Sequence, residues 1–437
     1  MIRKKFSGEI KPETEGEETT IAGWVDTKRD LGKIIFLKIR DNQGKIQVTV
    51  KKEREPEKIF KKAKEITQES VVAITGEVKK TDQTDKGVEI TPTEINVLNK
   101  AETPLPLELE EDVESKLDTR LDKRFIDLRK PEKGSIFQIR DSTLTAIRNS
   151  MEKRDFVEMQ TPKIISEGVE GGSTLFPVEY FEEEAYLAQS PQLYKQILMA
   201  TNLDRIYEIG NYFRAEKTDT TRHTSEFTSW DFEMAFIDSQ EDVLKTLEET
   251  MKEVIQHVKN KTEPYLEELE IDLKTPETPF KRIKYEKARE LLKEEGKEIP
   301  RGKDLDTEAE KILGKVMERE GHELYYITEY PSEEKPFYIM RKDEEPYYSH
   351  SFDLDYKGIE ITSGGQREHR PQKLIKNIEE QGLNPEDFEH YLNAFKYGMP
   401  PHGGMGTGFD RIIQQMLNLE NIREAIPFPR DLKRLKP

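Results

Sequence analysis

An α+β fold is predicted for this chain, with an antiparallel sheet at its centre and a small barrel in front of it. Three observations predict it. Short strand-like runs with one helix among them fill residues 18–100. Further strand-like runs are interrupted by a helical block at about 239–325 and then resume. A proline-punctuated, highly charged stretch at 99–129 separates the two parts. Strands broken by a block of helix and then resumed fit one antiparallel sheet that carries an insertion.

In the front part, "TTIAGWV", "KIIFLKIRD", "KIQVTV", "VVAITGEV" and "VEITPTEINVL" alternate or run apolar between turn signals such as "DNQG" at 41–44. "PEKIFKKAKEI" reads as a helix between the third and fourth strands. Five strands with a helix after the third is the order of an OB-type barrel, a common oligonucleotide-binding fold, although other small barrels share it. This domain is set at residues 1–100 and a linker or hinge at 101–130. The main body, 131–437, opens on "SIFQIRDSTLTAIRNSMEKRDF", where Ile136, Ile139, Leu144, Ile147 and Met151 recur at helical spacing. "FVEMQTPKII" then switches to an extended run, and strands are expected at "AYLAQS", "RIYEIGNYFRAE" and "FTSWDFEMAF". The block at 239–325 reads mostly as amphipathic helix, with Val243, Leu247, Met251, Val254 and Val258 on one face. Strands are expected again at "FYIM", "SFDLDYKGIEIT" and "PPHGGMGTG", before a last helix, "FDRIIQQMLN".

The chain has 437 residues, ample for a large core. No apolar run approaches the roughly 18 residues of a membrane span, and "MIRKKFSGEI" lacks a signal peptide's apolar region. A cytoplasmic protein with no membrane partner is therefore expected. With no cysteine, disulfides, thiolate metal sites and cysteine nucleophiles are excluded, so any metal needs carboxylate, hydroxyl or histidine ligands. The net charge of −18 argues against non-specific nucleic-acid binding by the whole molecule. Residues 1–100 nevertheless hold 21 Lys and Arg against 18 Asp and Glu, which leaves −21 on the remainder. A mildly basic front end on an acidic body is compatible with local RNA contact.

Four stretches carry candidate chemistry. "FRAEKTDTTRHTSEF" (213–227) gathers Arg214, Glu216, Arg222, His223 and Phe227, and reads either as a solvated hairpin tip or as an anion-binding loop. An arginine near a strand end can fork onto a phosphate or carboxylate, and Phe227 offers a ring for stacking. In "SFDLDYKGIEITSGGQREHR" (351–370), a hairpin at "YKG" with an even-numbered loop puts Asp353, Asp355 and Glu360 on one sheet face. That is either an exposed acidic hairpin or a Mg²⁺ or Mn²⁺ site with Ser363 as a further ligand. The paired glycines there bring the backbone close to a neighbour and deliver Arg367 beside it. "GGMGTGFDRIIQQM" (403–416) alternates Gly404, Gly406 and Gly408 along one strand face, bare enough for a flat ligand, with Arg411 opening the next helix. In "AQSPQLYKQ" (188–196), Ser190, Gln192 and Lys195 surround a turn into a helix, which either caps the helix or orients a small polar ligand.

Together and in this order, these pieces resemble the class II aminoacyl-tRNA synthetases. "TPKII" is similar to their motif 1, "FRAE" through "RHTSEF" to motif 2 and "GMGTGFDR" to motif 3. "EGGSTLF", "QSPQLYKQ", "FTSWDFEMAF" and "GIEITSGGQREHR" look like the aspartyl-tRNA synthetases of the archaeal and eukaryotic kind, and the resemblance covers nearly the whole chain. It implies a class II catalytic domain behind an OB-fold anticodon-binding domain, and ATP-dependent ligation of aspartate to tRNA(Asp) through aspartyl-adenylate.

Residue by residue, the resemblance implies Arg214 on the α-phosphate of ATP, Glu216 on the adenine amino group and Phe227 stacked on the ring, with Arg222, His223 and Arg411 around the outer phosphates. Arg214 and Arg411 would carry catalysis. Ala215, Thr224, Gly408, Phe409 and Asp410 complete the ATP set, and Mg²⁺ would sit on Glu360 and Ser363 with Asp353 close by. For aspartate it implies Lys195 and Arg367 on the side-chain carboxylate, Asp231 holding Lys195, Glu170 closing over the ammonium, and Ser190, Gln192, Arg214 and Ser363 nearby. Two cations left facing a neutral amide would then reject asparagine. Pro162 is expected at a two-fold homodimer interface. Phe36 and Gln47 are candidates for the anticodon surface, and Asp26, Thr84 and Asp85 fall where tRNA(Asp) is told from tRNA(Asn). Those three match neither pattern, so mischarging of tRNA(Asn), and with it a link to an aspartyl-tRNA amidotransferase, stays open. The rival readings are an asparaginyl-tRNA synthetase, a tRNA-independent asparagine synthetase on the same catalytic fold, and an OB-fold RNA-binding protein with an inactive body.

Overall fold

The computed structural model describes residues 2–109, 115–166, 175–217 and 220–436, and the chain divides into two compact units, 1–131 and 132–437. In the first unit, β1 (Glu18–Asp30), β2 (Ile34–Asp41), β3 (Gly44–Lys51), α1 (Glu57–Glu65), β4 (Val71–Lys80) and β5 (Val88–Asn99) form a closed barrel in the order β1-β2-β3-β5-β4. Alternation decides which way each side chain points. Ile35, Leu37 and Ile39 enter the core with Ile46, Val48 and Val50, and α1 adds Ile59, Phe60 and Ala63. On the outer face Phe36 lies opposite Thr49, and Lys38 opposite Gln47. A side chain at Gly23 would meet the Arg40 carbonyl oxygen at 2.2 Å, so β1 and β2 cross there only because that position is bare. Two short helices follow, α2 (Leu117–Asp122) and α3 (Arg124–Asp127), after which Arg129 donates to the buried Glu69 at 2.9 Å.

The second unit opens with α4 (Pro131–Glu152), β6 (Val157–Glu158), β7 (Ile164–Ile165), β8 (Pro177–Tyr180), β9 (Glu183–Leu187), α5 (Gln192–Leu198), β10 (Arg205–Phe213) and β11 (Glu226–Ala235). It continues through α6 (Gln240–Lys261), α7 (Glu263–Glu268), β12 (Lys281–Lys284), α8 (Tyr285–Glu294), α9 (Thr307–Arg319), β13 (Leu324–Thr328), β14 (Ser351–Tyr356) and β15 (Ile359–Gln366). The last elements are α10 (Pro371–Glu380), α11 (Glu389–Lys396), β16 (His402–Gly408) and α12 (Phe409–Met416). Eight strands form one sheet, β12-β13-β14-β15-β16-β11-β10-β6. It is antiparallel through its centre and parallel only at its edges, where β12 pairs with β13 and β6 with β10. β7, β9 and β8 make a separate small sheet.

One sheet face is covered by α4, α6 and α12. All five apolar residues singled out on α6 are fully buried, and they pack with Ile136, Ile139, Ile147 and Met151 of α4 and with Trp230 and Phe232 of β11. Two expectations change here. The block at 239–325 contains β12 and ends on the first two residues of β13; "LYYIT" of β13 is buried at every position, so it shows no alternation to distinguish it from helix. "FYIM" is not a strand, since Phe337–Met340 is irregular and makes a single bridge, Ile339 to Arg367. Among the described residues no helix is long and apolar enough to cross a membrane.

Candidate active site

With Trp230 and Phe232 facing the helices, the alternate residues of β11, Ser229, Asp231 and Glu233, face the other side of the sheet. The register continues that polar face across four strands. Asp231 pairs with Gly406, Gly406 with Ser363, and Ser363 with Asp353. The neighbouring row, Phe232, Met405, Gly364 and Phe352, points into the core. Glycines in β16 supply the room, because a Cβ at Gly404 would lie 2.3 Å from Glu233 Oε2 and one at Gly406 would lie 2.9 Å from Asp231 Oδ2.

A bulge corrects the spacing next to it. Asp355 pairs with Glu360, but Leu354 pairs with Thr362, so Ile361 is the extra residue in β15. Glu360 and Ser363, three apart, therefore face the same side. The cleft above this floor has a volume of about 320 Å³.

Two groups of side chains line it. The first is cationic: Arg214, Arg222, His223 and Arg411, with Glu216, Thr224 and Phe227. The Arg214 guanidinium lies 5.3 Å from the Phe227 ring centroid, and Arg411 Nη1 donates to the Glu360 carbonyl at 2.8 Å. Arg222 Nη1 reaches Glu310 of α9 at 2.5 Å. Burial and the surrounding Arg411, Arg222 and Arg214 push His223 down to about 4 in spite of Glu216, so it is neutral near pH 7. The Thr224 hydroxyl is buried in this wall with no hydrogen-bond partner among the described residues.

The second group is Gln189, Ser190, Gln192, Asp231, Tyr338 and Arg367. Arg367 Nε donates to Glu233 Oε1 at 2.9 Å, and Nη2 reaches Gln192 and Glu233 Oε2, each at 3.3 Å. Among the described residues, Nη1 is the guanidinium nitrogen left for a ligand. Lys195 Nζ donates to Asp231 Oδ2 at 2.8 Å and to the Met405 carbonyl at 2.9 Å, with Glu233 at 3.6 Å. Although burial pushes Glu233 up, Arg367 and Lys195 hold it below the usual carboxylate range.

A family model described as class II tRNA synthetases (D, K and N) matches residues 116–432, and an OB-fold nucleic-acid-binding model matches 19–98. The chain belongs to the class II tRNA synthetases. It is 52% identical to the aspartate–tRNA(Asp) ligase of Pyrococcus furiosus and 50% identical to the aspartate–tRNA(Asp/Asn) ligase of Methanopyrus kandleri, over the full length of each chain. The asparaginyl-tRNA synthetase of Pyrococcus horikoshii complexed with asparaginyl-adenylate superposes with a TM-score of 0.94 at 33% identity, covering all of both chains. The aspartyl-tRNA synthetase of Entamoeba histolytica gives a TM-score of 0.87 at 30% identity, over 98% of this chain and 92% of the other.

Within this synthetase most of the residues expected at the site meet in the one cleft, and several do not. Lys195 does not line it; a fully buried ammonium needs acceptors, and it has them in Asp231 and the Met405 carbonyl, which hold it beside the lining residue Asp231. Asp353 does not line it either, because Lys335 Nζ holds its Oδ2 at 2.7 Å. Among the described residues no three His, Asp or Glu side chains converge on one metal position. Phe409 is 0% exposed, in the core under Arg140, and Ala215 is half-buried off the lining. Asp410 borders the cleft, but its carboxylate is engaged by Arg140 and by the Thr228 N–H at 2.8 Å. Glu170 lies outside the described residues.

Pro162 is exposed at the surface. In the barrel, Asp26 is paired with Arg40 at 2.5 Å and Lys45 at 3.0 Å, and Gln47 Nε2 donates to Glu89 at 3.0 Å on the face that carries Phe36. Thr84, whose hydroxyl donates to the Val88 carbonyl, and exposed Asp85 are in the loop between β4 and β5.

The sequence reading missed Glu233, Lys335 and Glu310. Glu233 sits two positions from Asp231 on one strand, a signal that was available. Lys335 lies in irregular chain and Glu310 on the amphipathic helix α9, each distant in sequence from the side chain it meets. Burial, with Glu360 adding to it, pushes Glu310 up to about 7 despite Arg222. A carboxyl raised above its ordinary 4.5 contributes stability that is complete below pH 4.5 and lost as pH rises through about 7. Glu310→Gln is therefore expected to flatten the fall in melting temperature across that window in the ligand-free protein. Calorimetry of both proteins from pH 4.5 to 7.5 checks it.

Proposed function

We propose that this synthetase activates L-aspartate with ATP and transfers it to tRNA(Asp). The observation that carries the reading is the single cleft in which the cationic group, Arg214, Arg222 and Arg411, shares a floor with Arg367 and Asp231. The 46–52% identity to aspartate–tRNA ligases over the whole chain supports aspartate as the amino acid.

Bound ATP would place its α-phosphate by Arg214, its adenine by Phe227 and Glu216, and its outer phosphates by Arg222, His223 and Arg411. The orphaned Thr224 hydroxyl fits a polar ligand on that wall. The aspartate α-carboxylate attacks the α-phosphorus and pyrophosphate leaves. The terminal ribose hydroxyl of the tRNA then attacks the aspartyl carbonyl and AMP leaves. Arg214 stabilises charge on the α-phosphate during both steps, and the distal arginines stabilise the leaving pyrophosphate.

The donor set also fits a magnesium ion. Burial and the neighbouring Asp353 push Glu360 up in spite of Arg411 and Lys335, a cost that a divalent cation relieves. Mg²⁺ is ordinarily bound by one or two carboxylates plus substrate phosphates, so Glu360 and Ser363 suffice on the protein side. Held there, the ion would supply neutralisation of phosphate charge.

Arg367 Nη1 would grip the side-chain carboxylate, oriented by Glu233 and Gln192. Because Lys195 and Arg367 are already balanced by Asp231 and Glu233, rejection of asparagine rests on the direction of the donors, not on uncompensated cations. The outer barrel face bearing Phe36 and Gln47 would meet the anticodon by stacking and edge contacts. The homodimer would form at the exposed segment around Pro162 and Ile164.

A second reading, asparaginyl-tRNA synthetase, is favoured by the 0.94 superposition. ATP–pyrophosphate exchange with each amino acid separates the two. Exchange driven by aspartate is expected, and exchange driven only by asparagine would overturn the proposal. Charging of tRNA(Asp) and tRNA(Asn) transcripts side by side then decides whether the enzyme resembles the tRNA(Asp) or the tRNA(Asp/Asn) ligases among its relatives.

A further inference from the structure

The loop between β10 and β11 carries Arg214, Arg222 and His223 of the cleft, and its return arm is not held by its own hairpin alone. Its base closes with the Arg214 N–H on the Ser225 carbonyl at 2.9 Å. Beyond that, the two ends of the stretch 221–225 are hooked to the C-terminal part of the chain. The Thr221 carbonyl accepts from the Ile422 N–H at 2.8 Å and from Gln414 Nε2 at 3.3 Å. The Ser225 N–H donates to the Arg430 carbonyl at 2.7 Å, where Glu226 and Arg430 also form a bridge. Between the hooks lie Arg222, His223 and Thr224, and all three side chains line the cleft.

The supporting segment is itself locked. Asn421 caps a 3-10 turn at Ile422–Ala425 by accepting from the Arg423 N–H at 3.1 Å. Arg423 Nη1 meets Asp431 Oδ2 at 3.2 Å, and Asp431 Oδ1 accepts the N–H groups of Lys433 and Arg434, each at 2.8 Å. One carboxylate thus closes the C-terminal turn and ties it back to the turn that holds Thr221. Ile422 is buried and lines the cleft, and Arg140 joins the Ala425 carbonyl to Asp410 and Thr228 at the start of β11.

We propose that residues 421–431 are a splint that sets the position of the polyphosphate-binding arch 221–225, with Asp431 as the positioning residue that pins it. The inference rests on the reading of the cleft as an ATP site. Asp431 does not line the cleft, so its loss is expected to act through where Arg222, His223 and Thr224 stand. Because a displacement of about 1 Å at a binding group costs up to ~10²-fold, Asp431→Ala is expected to raise the KM for ATP on the order of 10-fold. The KM for aspartate, set by the separately braced Arg367 and Gln192, is expected to stay within about twofold of wild type, since sites without shared partners behave independently.

The test is ATP–pyrophosphate exchange by the full-length enzyme, varying ATP and aspartate in turn. Asp431→Glu, which keeps a carboxylate for Arg423 as well as for the N–H groups of Lys433 and Arg434, is expected to recover most of the ATP affinity, whereas Asp431→Asn, whose amide nitrogen would face Arg423 Nη1, is not. A selective rise in the KM for ATP with that recovery supports the splint. An unchanged KM for ATP, or an equal rise in both constants, overturns it. Should Asp431→Ala not fold, Arg423→Gln removes the pin from the other side and is judged by the same two constants. Wild-type exchange with aspartate tests the underlying functional reading separately, so the splint fails on its own if wild type is active and the variants match it.

Discussion

Alanine at Arg214 is expected to slow aspartate-dependent ATP–pyrophosphate exchange by about 10²–10³-fold, the usual loss when one preorganised donor to a developing anion is removed. The guanidinium is already placed before any ligand arrives. Its backbone N–H is fixed on Ser225, its plane lies near the Phe227 ring and Glu216 stands 3.9 Å away. The side chain is 42% exposed, so the melting temperature is expected to change little while activity collapses. Arg214→Lys is expected to recover only part of the rate, because an ammonium cannot fork onto two oxygens. Exchange by Arg214→Ala within a few-fold of wild type would remove Arg214 from the chemistry.

Glu233→Ala is expected to give the largest loss of stability, about 3–5 kcal/mol, because removing one partner of a buried ionic cluster strands the others. Glu233 is 0% exposed and its removal leaves Arg367 without its main acceptor and Lys195 with Asp231 as its remaining carboxylate beside the Met405 carbonyl. The prediction is checked by urea unfolding of both proteins at pH 7.5. A loss below 1 kcal/mol would mean that water or a rearranged Gln192 replaces the carboxylate. The same variant is expected to weaken aspartate binding, since Arg367 Nη1 is aimed by the two bonds that Nε and Nη2 make to Glu233.

What the sequence disclosed follows from which signals are local. The α6 stripe from Val243 to Val258 and the alternating strands of the barrel are periodic, and the structure buries them as the period requires. The arginines at 214, 222, 367 and 411 come together because three motifs occur in a recognisable order. Lys335 and Glu310 carried no such signal, as each acts on a side chain distant in sequence: Lys335 on Asp353, and Glu310 on Arg222. β13 was hidden by complete burial, which erases alternation. Phe337–Met340 looked like a strand for the opposite reason. Its apolar side chains fill a cluster with Leu374, Tyr391 and Phe395, while its backbone bonds elsewhere, as when the Phe337 carbonyl accepts from Asn377. The sequence paired Lys195 with Asp231 but offered no partner for Arg367, which the structure supplies in Glu233.

The extra residue at Ile361 lets β15 set side chains three apart on one side, which a regular strand cannot do. In a regular pleat side chains three apart point to opposite faces, so flattening the bulge at constant length turns either the Glu360 carboxylate or the Ser363 hydroxyl toward the helices, whereas removing Ile361 leaves the two donors two apart and still on one side. Conservative exchanges along that strand alter contacts one at a time, whereas losing the bulge at constant length would part the two donors at a stroke. Two oxygen donors three places apart in an extended segment are thus a written trace of a kink, readable in other chains before any coordinates exist.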